Sequence, residues 1–308
     1  MALVDLHAHT TFSDGHDTPS ALVKMAAENN VAVLGITDHD NLGGLHEALT
    51  AGEKHGVKIV CGVEITTGFH GHTIHMLGYG LPLNDGELNE FLLKIYRHRK
   101  TMMTSLVKKL NSEFEAAGRK TVDIDDFVRS QGEYFNTEKT AQYLVVNGYM
   151  SDFEQTMKSL FSILRDGANG LPKQLISSAE AVVAIHRAGG IAILSHPFAS
   201  GISLRKIDPT PEGQEGLLKE MIADGIDGIE CYQSEYGPEE TAFALSLTKK
   251  YGLLASSGSD WHGAICDVPG DITERKNFYP EHIGGLGTTP EMVAPLLERL
   301  GIAVDKVL

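Results

Sequence analysis

Apolar residues recur along the chain in short runs rich in β-branched side chains, separated by stretches with helical spacing. Seven runs, 3–7, 31–37, 58–65, 73–79, 190–196, 225–232 and 252–260, read as strands. Between the first two, "TPSALVKMAAENN" predicts a helix with Thr18 as N-cap and Pro19 at its first position. "LGGLHEALTAGEKHG" has helical periodicity and ends at Gly56, and "SSAEAVVAIHRAGG" opens on a serine cap and closes on a glycine pair. Strand–helix alternation with short loops predicts a parallel sheet, and seven such units predict an α/β barrel rather than an open sheet. One segment breaks the rhythm. From 83 to 172 there is no strand pattern: 85–118 reads as one or two amphipathic helices, and 137–150 and 151–167 as two more. The expected organisation is therefore a barrel formed by 1–82 and 173–308, with a helical insertion, 83–172, after the fourth strand.

Composition narrows the setting. No apolar run is long enough to span a bilayer, and no basic stretch followed by an apolar core opens the chain, so neither a membrane span nor a secretory signal is expected. Cys61, Cys231 and Cys266 are odd in number and far apart, which suits reduced thiols and a cytoplasmic location. The formal charge of −15 argues against a nucleic-acid polymer as partner. It leaves room for a small anionic ligand, because a local site can be cationic within an acidic chain. Oligomeric state is not legible.

Chemistry enters at "VDLHAHTTFSDG" (4–15). Residues i and i+2 of a strand share a face, so His7 and His9 project together at the end of strand one, where an α/β barrel carries its active site. A lone His-x-His is weak evidence, but other strand ends repeat the theme. Strand two offers His39, strand three Glu64, strand four His75, strand five His196, and strand seven Asp260 and His262, with Asp14 in the first loop. Ordinary hydrogen-bonding histidines would explain any one of these but not the coincidence across six of seven strands. His72 lies on the opposite strand face from His75 and is not counted, and His55 and His186 read as surface or capping residues on helices. Asp5 and Asp38 adjoin ligand positions and read equally as acceptors orienting imidazoles or as strand-end caps.

These motifs, "DLHAHTTFSDG", "GITDHDN", "GVEI", "HMLGYG", "GGIAILSHP" and "GSDWHG", in this order, resemble the series of the PHP (polymerase and histidinol phosphatase) family of the amidohydrolase superfamily. The resemblance runs from residue 5 to residue 263. It implies a distorted, TIM-like (β/α)7 barrel and two or three divalent ions, Mn²⁺, Fe²⁺ or Zn²⁺. It implies one metal site of His7, His9, Glu64 and Asp260, a second of Glu64, His75 and His196, and a third of Asp14, His39 and His262. Asp260, His196 and Glu64 are the expected catalytic residues. The implied reaction is hydrolysis of a small phosphorylated metabolite (a nucleotide, sugar phosphate or cyclic phosphate) by a hydroxide bridging two ions. Hydrolysis of a C–N bond, as in other amidohydrolase relatives, and a metal-binding module without turnover are the alternatives.

Substrate contacts are less legible. Arg97, Arg99, Lys139, Arg165 and Lys173 are the candidate phosphate-binding cations, from the insertion and the loops facing the barrel mouth. Many relatives carry Arg-Pro-His near the start of the second insertion helix where this chain has "YFNTEKTAQYL", which leaves Lys139 as the substitute cation. Arg275, Lys276 and His282, in the long stretch 264–287, are further candidates.

Overall fold

The computed structural model describes residues 1–165, 176–263 and 282–307. Seven strands form one sheet in the order of the chain: β1 (Leu3–Asp5), β2 (Val31–Ile36), β3 (Lys58–Phe69), β4 (His72–Tyr79), β5 (Ile191–Leu194), β6 (Gly228–Gln233) and β7 (Leu254–Gly258). The strands β1–β2–β3 and β5–β6–β7 pair in parallel. The two margins of the sheet meet through backbone bonds: Leu6 N–H donates to the Ser257 carbonyl at 2.9 Å, and His9 N–H to the Trp261 carbonyl at 2.8 Å.

One strand departs from the all-parallel expectation. β4 runs antiparallel to both β3 and β5. The cause is local. β3 extends past Ile65 to Phe69 and turns through His70 and Gly71, both at positive φ (48° and 76°), into β4. A two-residue turn of that hand closes a hairpin and is far too short for a crossover. Because β4 runs backwards, His75 lies near its start, opposite Thr66, and still reaches the rim that holds the C-terminal ends of the other strands.

The expected caps are present. Thr18 accepts from Ala21 N–H ahead of α1 (Pro19–Glu28), Gly56 closes α2 (Leu45–His55) in the left-handed conformation, and Ser177 forms a reciprocal capping box with Glu180. Between β4 and β5 lie five described helices: α3 (Gly86–Ala116), α4 (Ile124–Gln131), α5 (Thr137–Val146), α6 (Phe153–Arg165) and α7 (Ser178–Arg187), which follows the Ser177 cap. The stretch 85–118 is one helix, not two. α4 was not anticipated, although Ile124, Phe127 and Val128 have helical spacing and Asp123 caps its first turn.

Apolar packing divides accordingly. Leu88, Leu92 and Ile95, at the root of α3, join the large core between the sheet and its flanking helices. From Met102 onward α3 packs instead with α4–α6 around Phe127, Phe135 and Leu144, a second core of its own. A third core gathers Val4, Leu6, Val33, Val60, Leu77 and Ile193 from five strands against Leu296 and Leu297 of the C-terminal helix. The opposite rim of the sheet is polar.

Candidate metal centre

Nine side chains named from the sequence converge on that polar rim. His7, His9, His39, Glu64, His75 and His196 are buried, and Asp14, Asp260 and His262 are half-buried. The Nε2 atoms of His7 and His9 are 3.1 Å apart, and Asp260 Oδ1 lies 3.2 and 3.1 Å from them. Glu64 Oε2 is 3.2 and 3.3 Å from the same two nitrogens. Four ligands arranged tetrahedrally at ~2.0–2.1 Å from an ion stand about 3.3 Å from one another, so this quartet has the dimensions of a metal site.

Two more groups adjoin it. His9, Asp14, His39 and His262 place ligand atoms within 4.8 Å of one another, as do His39, Glu64 and His75. The grouping differs from the expected one in two respects. His9 joins the Asp14–His39–His262 set, and His39 stands with Glu64 and His75. His196 attaches through Glu64, its Nε2 3.1 Å from Oε1. Glu64 lies at the centre, its Oε1 facing His75 and His196 and its Oε2 facing His7, His9 and His39.

The local backbone is adapted to this convergence. Asp40, His196 and Asp260 have φ of 51°, 28° and 55°, a region that side chains enter only when their surroundings hold them there. A Cβ on Gly258 would lie 2.0 Å from the His7 Cβ, and one on Gly15 would lie 2.4 Å from the His9 carbonyl. The glycines of "GSD" and "SDG" are therefore what lets the ligand loops approach.

Three imidazoles have their orientation fixed from behind. The Nδ1 of His7 meets Glu230 Oε1 at 3.0 Å, that of His196 the Ile202 carbonyl at 2.8 Å, and that of His262 the Asp260 carbonyl at 2.7 Å. Donation from Nδ1 leaves each Nε2 lone pair directed into the cluster. Glu230 also accepts the His196 N–H at 2.7 Å. It was missed in the sequence, although a lone carboxylate inside the apolar run "GIECY" was a signal. Asp5 and Asp38 do not orient imidazoles. Asp5 accepts the Ser259 and Gly284 N–H groups, and Asp38 accepts from Thr10 and Ser13, so both cap ligand-bearing loops.

Electrostatics agree with a cation site. Burial disfavours a charged His9, yet Asp260 and Glu64 outweigh it and push its pKa up to about 10. His196 is raised against burial to about 9, chiefly by Glu64. Burial would raise the Glu64 and Asp260 carboxyls, but the surrounding imidazoles, His7 first, hold both well below the usual carboxylate range. His39 goes the other way: burial drives it well below an ordinary imidazole and keeps it neutral. Asp14 Oδ1, His39 Nδ1 and Asp260 Oδ1 are buried without a hydrogen-bond partner. Orphaned acceptors facing one another are costly unless a cation satisfies them, and His and carboxylate donors suit a first-row divalent ion.

The cluster lines a cavity of about 630 Å³ whose wall also carries Met102, Met103, Met157, Phe161, Leu164 and Ile202. The expected substrate cations fare unevenly. Arg99 lines the cavity, but its guanidinium is engaged: Nε donates to Asp40 Oδ2 at 2.8 Å, and the terminal nitrogens to Thr66 Oγ1 and the Phe135 carbonyl. Arg97 does not face the cavity. It is exposed and pairs with Glu90. Lys139 Nζ is held by the Ser13 and Gln131 carbonyls at 3.1 and 2.9 Å, and so braces a loop rather than offering a free charge. The side chain of Arg165 and the residues Lys173, Arg275 and Lys276 lie outside the described residues; His282 is exposed beside the Ile283 carbonyl.

A mostly parallel α/β sheet that gathers imidazoles and carboxylates at one rim, beside a cavity, is the architecture of a metal-dependent hydrolase. Comparison with known proteins specifies which. The PHP domain matches residues 5–170, more than half of the 308, and the chain belongs to the PHP family. It is similar to the 3′,5′-nucleoside bisphosphate phosphatase of Chromobacterium violaceum, with 31% identity over 85% of this chain and 88% of that protein. It is 29% identical to the 5′-3′ exoribonuclease Rnm of Escherichia coli, over 84% of this chain and 85% of that one. It is 28% identical to the phosphoribosyl 1,2-cyclic phosphate 1,2-diphosphodiesterase of Eggerthella lenta, over 86% and 96%. Among solved structures, a protein from Bifidobacterium adolescentis described as a candidate metal-dependent phosphoesterase superposes with a TM-score of 0.73 at 25% identity, over 96% of this chain and 95% of that one. An amidohydrolase from Chromobacterium violaceum with bound sulfate gives 0.66 at 30%, over 88% and 90%. The chain is thus a metal-dependent phosphoesterase. No described helix is long and apolar enough to cross a membrane.

Proposed function

We propose that this protein hydrolyses a phosphate ester of a small nucleotide, with His7, His9, Asp14, His39, Glu64, His75, His196, Asp260 and His262 holding two or three divalent ions. The observation that carries this is the set of three ligand groups sharing His9, His39 and Glu64 at the floor of one cavity. Mn²⁺, Fe²⁺ or Zn²⁺ bound there would act as Lewis acid and lower the pKa of water from 15.7 toward ~7. The chain's own residues do the rest. Glu64 reaches two groups through its two oxygens, so it fixes their spacing. Asp14, Asp260 and His262, less buried than the others, face the cavity where the phosphate enters. The apolar side chains of the wall, Met102, Met103 and Phe161 among them, offer a surface to the alcohol half of the ester.

In this reading the sheet is a distorted (β/α)7 barrel, 1–82 and 173–308, supported by the bonds between Leu6 and Ser257 and between His9 and Trp261. Segment 83–172 is its lid, supported by the separate core of α3–α6 and by their place in the cavity wall. The net charge of −15 favours a small substrate over a polymer. The relatives' names define the test: Mn²⁺-loaded protein on 3′,5′-bisphosphates, cyclic phosphates, mononucleotides and a short 5′-phosphorylated RNA. Release of phosphate from a nucleotide faster than from the RNA is the expected result. Faster degradation of the RNA transfers the reading to the exoribonuclease branch, and no metal-stimulated hydrolysis of any ester removes it.

A further inference from the structure

The three ligand groups are not braced from the same side. Behind His7 stands Glu230 of β6, and behind His196 stand Glu230 again and the Ile202 carbonyl, all belonging to the sheet and its loops. The group His9–Asp14–His39–His262 is different, because contacts reach it from the helices between β4 and β5. Tyr134, in the turn before α5, lies parallel on the His39 imidazole, with ring centroids 5.2 Å apart and planes 9° apart. Arg99 of α3 stands over the Tyr134 ring, its guanidinium carbon 4.7 Å from that centroid, and pairs with Asp40 next to His39. Asn136 donates from Nδ2 to Asp14 Oδ2 at 3.1 Å. Lys139 donates to the carbonyl of Ser13, the residue before Asp14.

Two contacts from one segment thus reach the ligands His39 and Asp14, and two more reach their chain neighbours Asp40 and Ser13. We infer that segment 83–165 completes this one group through Arg99, Tyr134 and Asn136 acting as positioning residues, so that an ion binds there tightly only while the segment is docked. The inference rests on the reading of His9, Asp14, His39 and His262 as metal ligands. Its physical basis is that a ligand free to rotate loses affinity. Asp14 sits in a loop and His39 at a strand end, and the residues that hold them still belong to another layer. By linkage, an ion in this group must in turn hold the segment down, because coupling between two equilibria is reciprocal.

The test uses the full chain freed of metal and titrated with Mn²⁺, the free ion being read by its electron paramagnetic resonance signal. His39→Ala is expected to remove the binding event at this group and, because His39 also stands with Glu64 and His75, to weaken the event there. Asn136→Ser keeps a capping oxygen for α5, whose first turn Asn136 now caps at Lys139 N–H, but removes the donor to Asp14. It is expected to weaken that same event by about tenfold or more and leave the others unchanged. Tyr134→Ala should do likewise, whereas Tyr134→Phe, which keeps the ring, should bind as the wild type does. In the His39→Ala background, Asn136→Ser should change nothing further. Hydrogen exchange should show amides 134–140 gaining protection in the wild type when the last ion binds, and not in His39→Ala.

If Asn136→Ser and Tyr134→Ala bind every ion with wild-type affinity, or lose affinity for all ions equally, the inference is overturned while the ligand reading stands. If His39→Ala removes no event, the ligand reading falls and the inference with it. Should Tyr134→Ala fail to fold, Asn136→Ser decides alone.

Discussion

His7 commits one ring nitrogen to Glu230 and leaves the other facing His9, Asp260 and Glu64. That division of labour makes the cluster sensitive to pH. In the metal-free protein His9 and His196 titrate near 10 and 9, above the ordinary imidazole value of 6.5. The stability they contribute is therefore fully present below pH ~6.5 and is lost as pH rises through 9 to 10. Bound ions compete with the same protons, so metal affinity runs in the opposite sense and strengthens over that window. Thermal melts with chelator and with Mn²⁺ should consequently diverge between pH 6.5 and 9.5; a gap that does not widen contradicts the protonation scheme. Removing the outer partner has a separate signature. Glu230→Gln should weaken metal binding by about 10–100-fold, checked by the same titration, because His7 and His196 lose their common anchor. Asp260→Asn should lower turnover by about two orders of magnitude or more with the circular dichroism spectrum intact, since the residue stands at the rim and away from the apolar cores.

At the scale of elements, the hairpin of β3 and β4 is the one that brings an antiparallel strand to a parallel sheet. Its turn needs positive φ at both His70 and Gly71. Gly71→Ala should therefore cost about 1–2 kcal/mol in a denaturant melt, although no atom lies within 4 Å of the added methyl. His70→Asn should be neutral or stabilising, because asparagine tolerates that conformation. The hairpin also shows why strand direction was not legible. A run of β-branched residues has the same period in either direction, and the turn, "HG", is too short and common to announce itself. α3 teaches a related lesson. Arg97 and Arg99 are two residues apart on one helix and so point about 200° apart around its axis. One pairs outward with Glu90 while the other reaches Asp40. Arg97 is exposed while His98, Arg99 and Lys100 are all half-buried, so periodicity alone did not say which arginine would turn inward.

For the whole molecule, the division between a sheet that carries the ligands and a helical layer that covers them makes a kinetic prediction. Phe161, on α6, is exposed and lines the cavity away from the metal ligands. Phe161→Ala should raise KM on the best nucleotide substrate more than it lowers kcat, and should leave a minimal ester such as methyl phosphate unaffected. Steady-state kinetics on the two substrates decide it. A loss of kcat on both would place α6 in the bond-breaking machinery and erase the division.

The sequence by itself determined whatever is written in local spacing. Strand and helix periods, the caps at Thr18, Gly56 and Ser177, and the phase of His7 with His9 all depend on neighbours a few residues away. So did the order of the motifs, which located nine converging side chains before any contact was known. Only the tertiary structure decided what depends on closure of the chain on itself. The grouping of His39 with Glu64, the buried anchor Glu230, and the engagement of Arg99 and Lys139 by the sheet side involve partners tens to hundreds of residues apart. A side chain's type and period say that it will be buried or charged. They do not say which distant group will stand opposite, because that is set by how layers pack once the backbone path is complete.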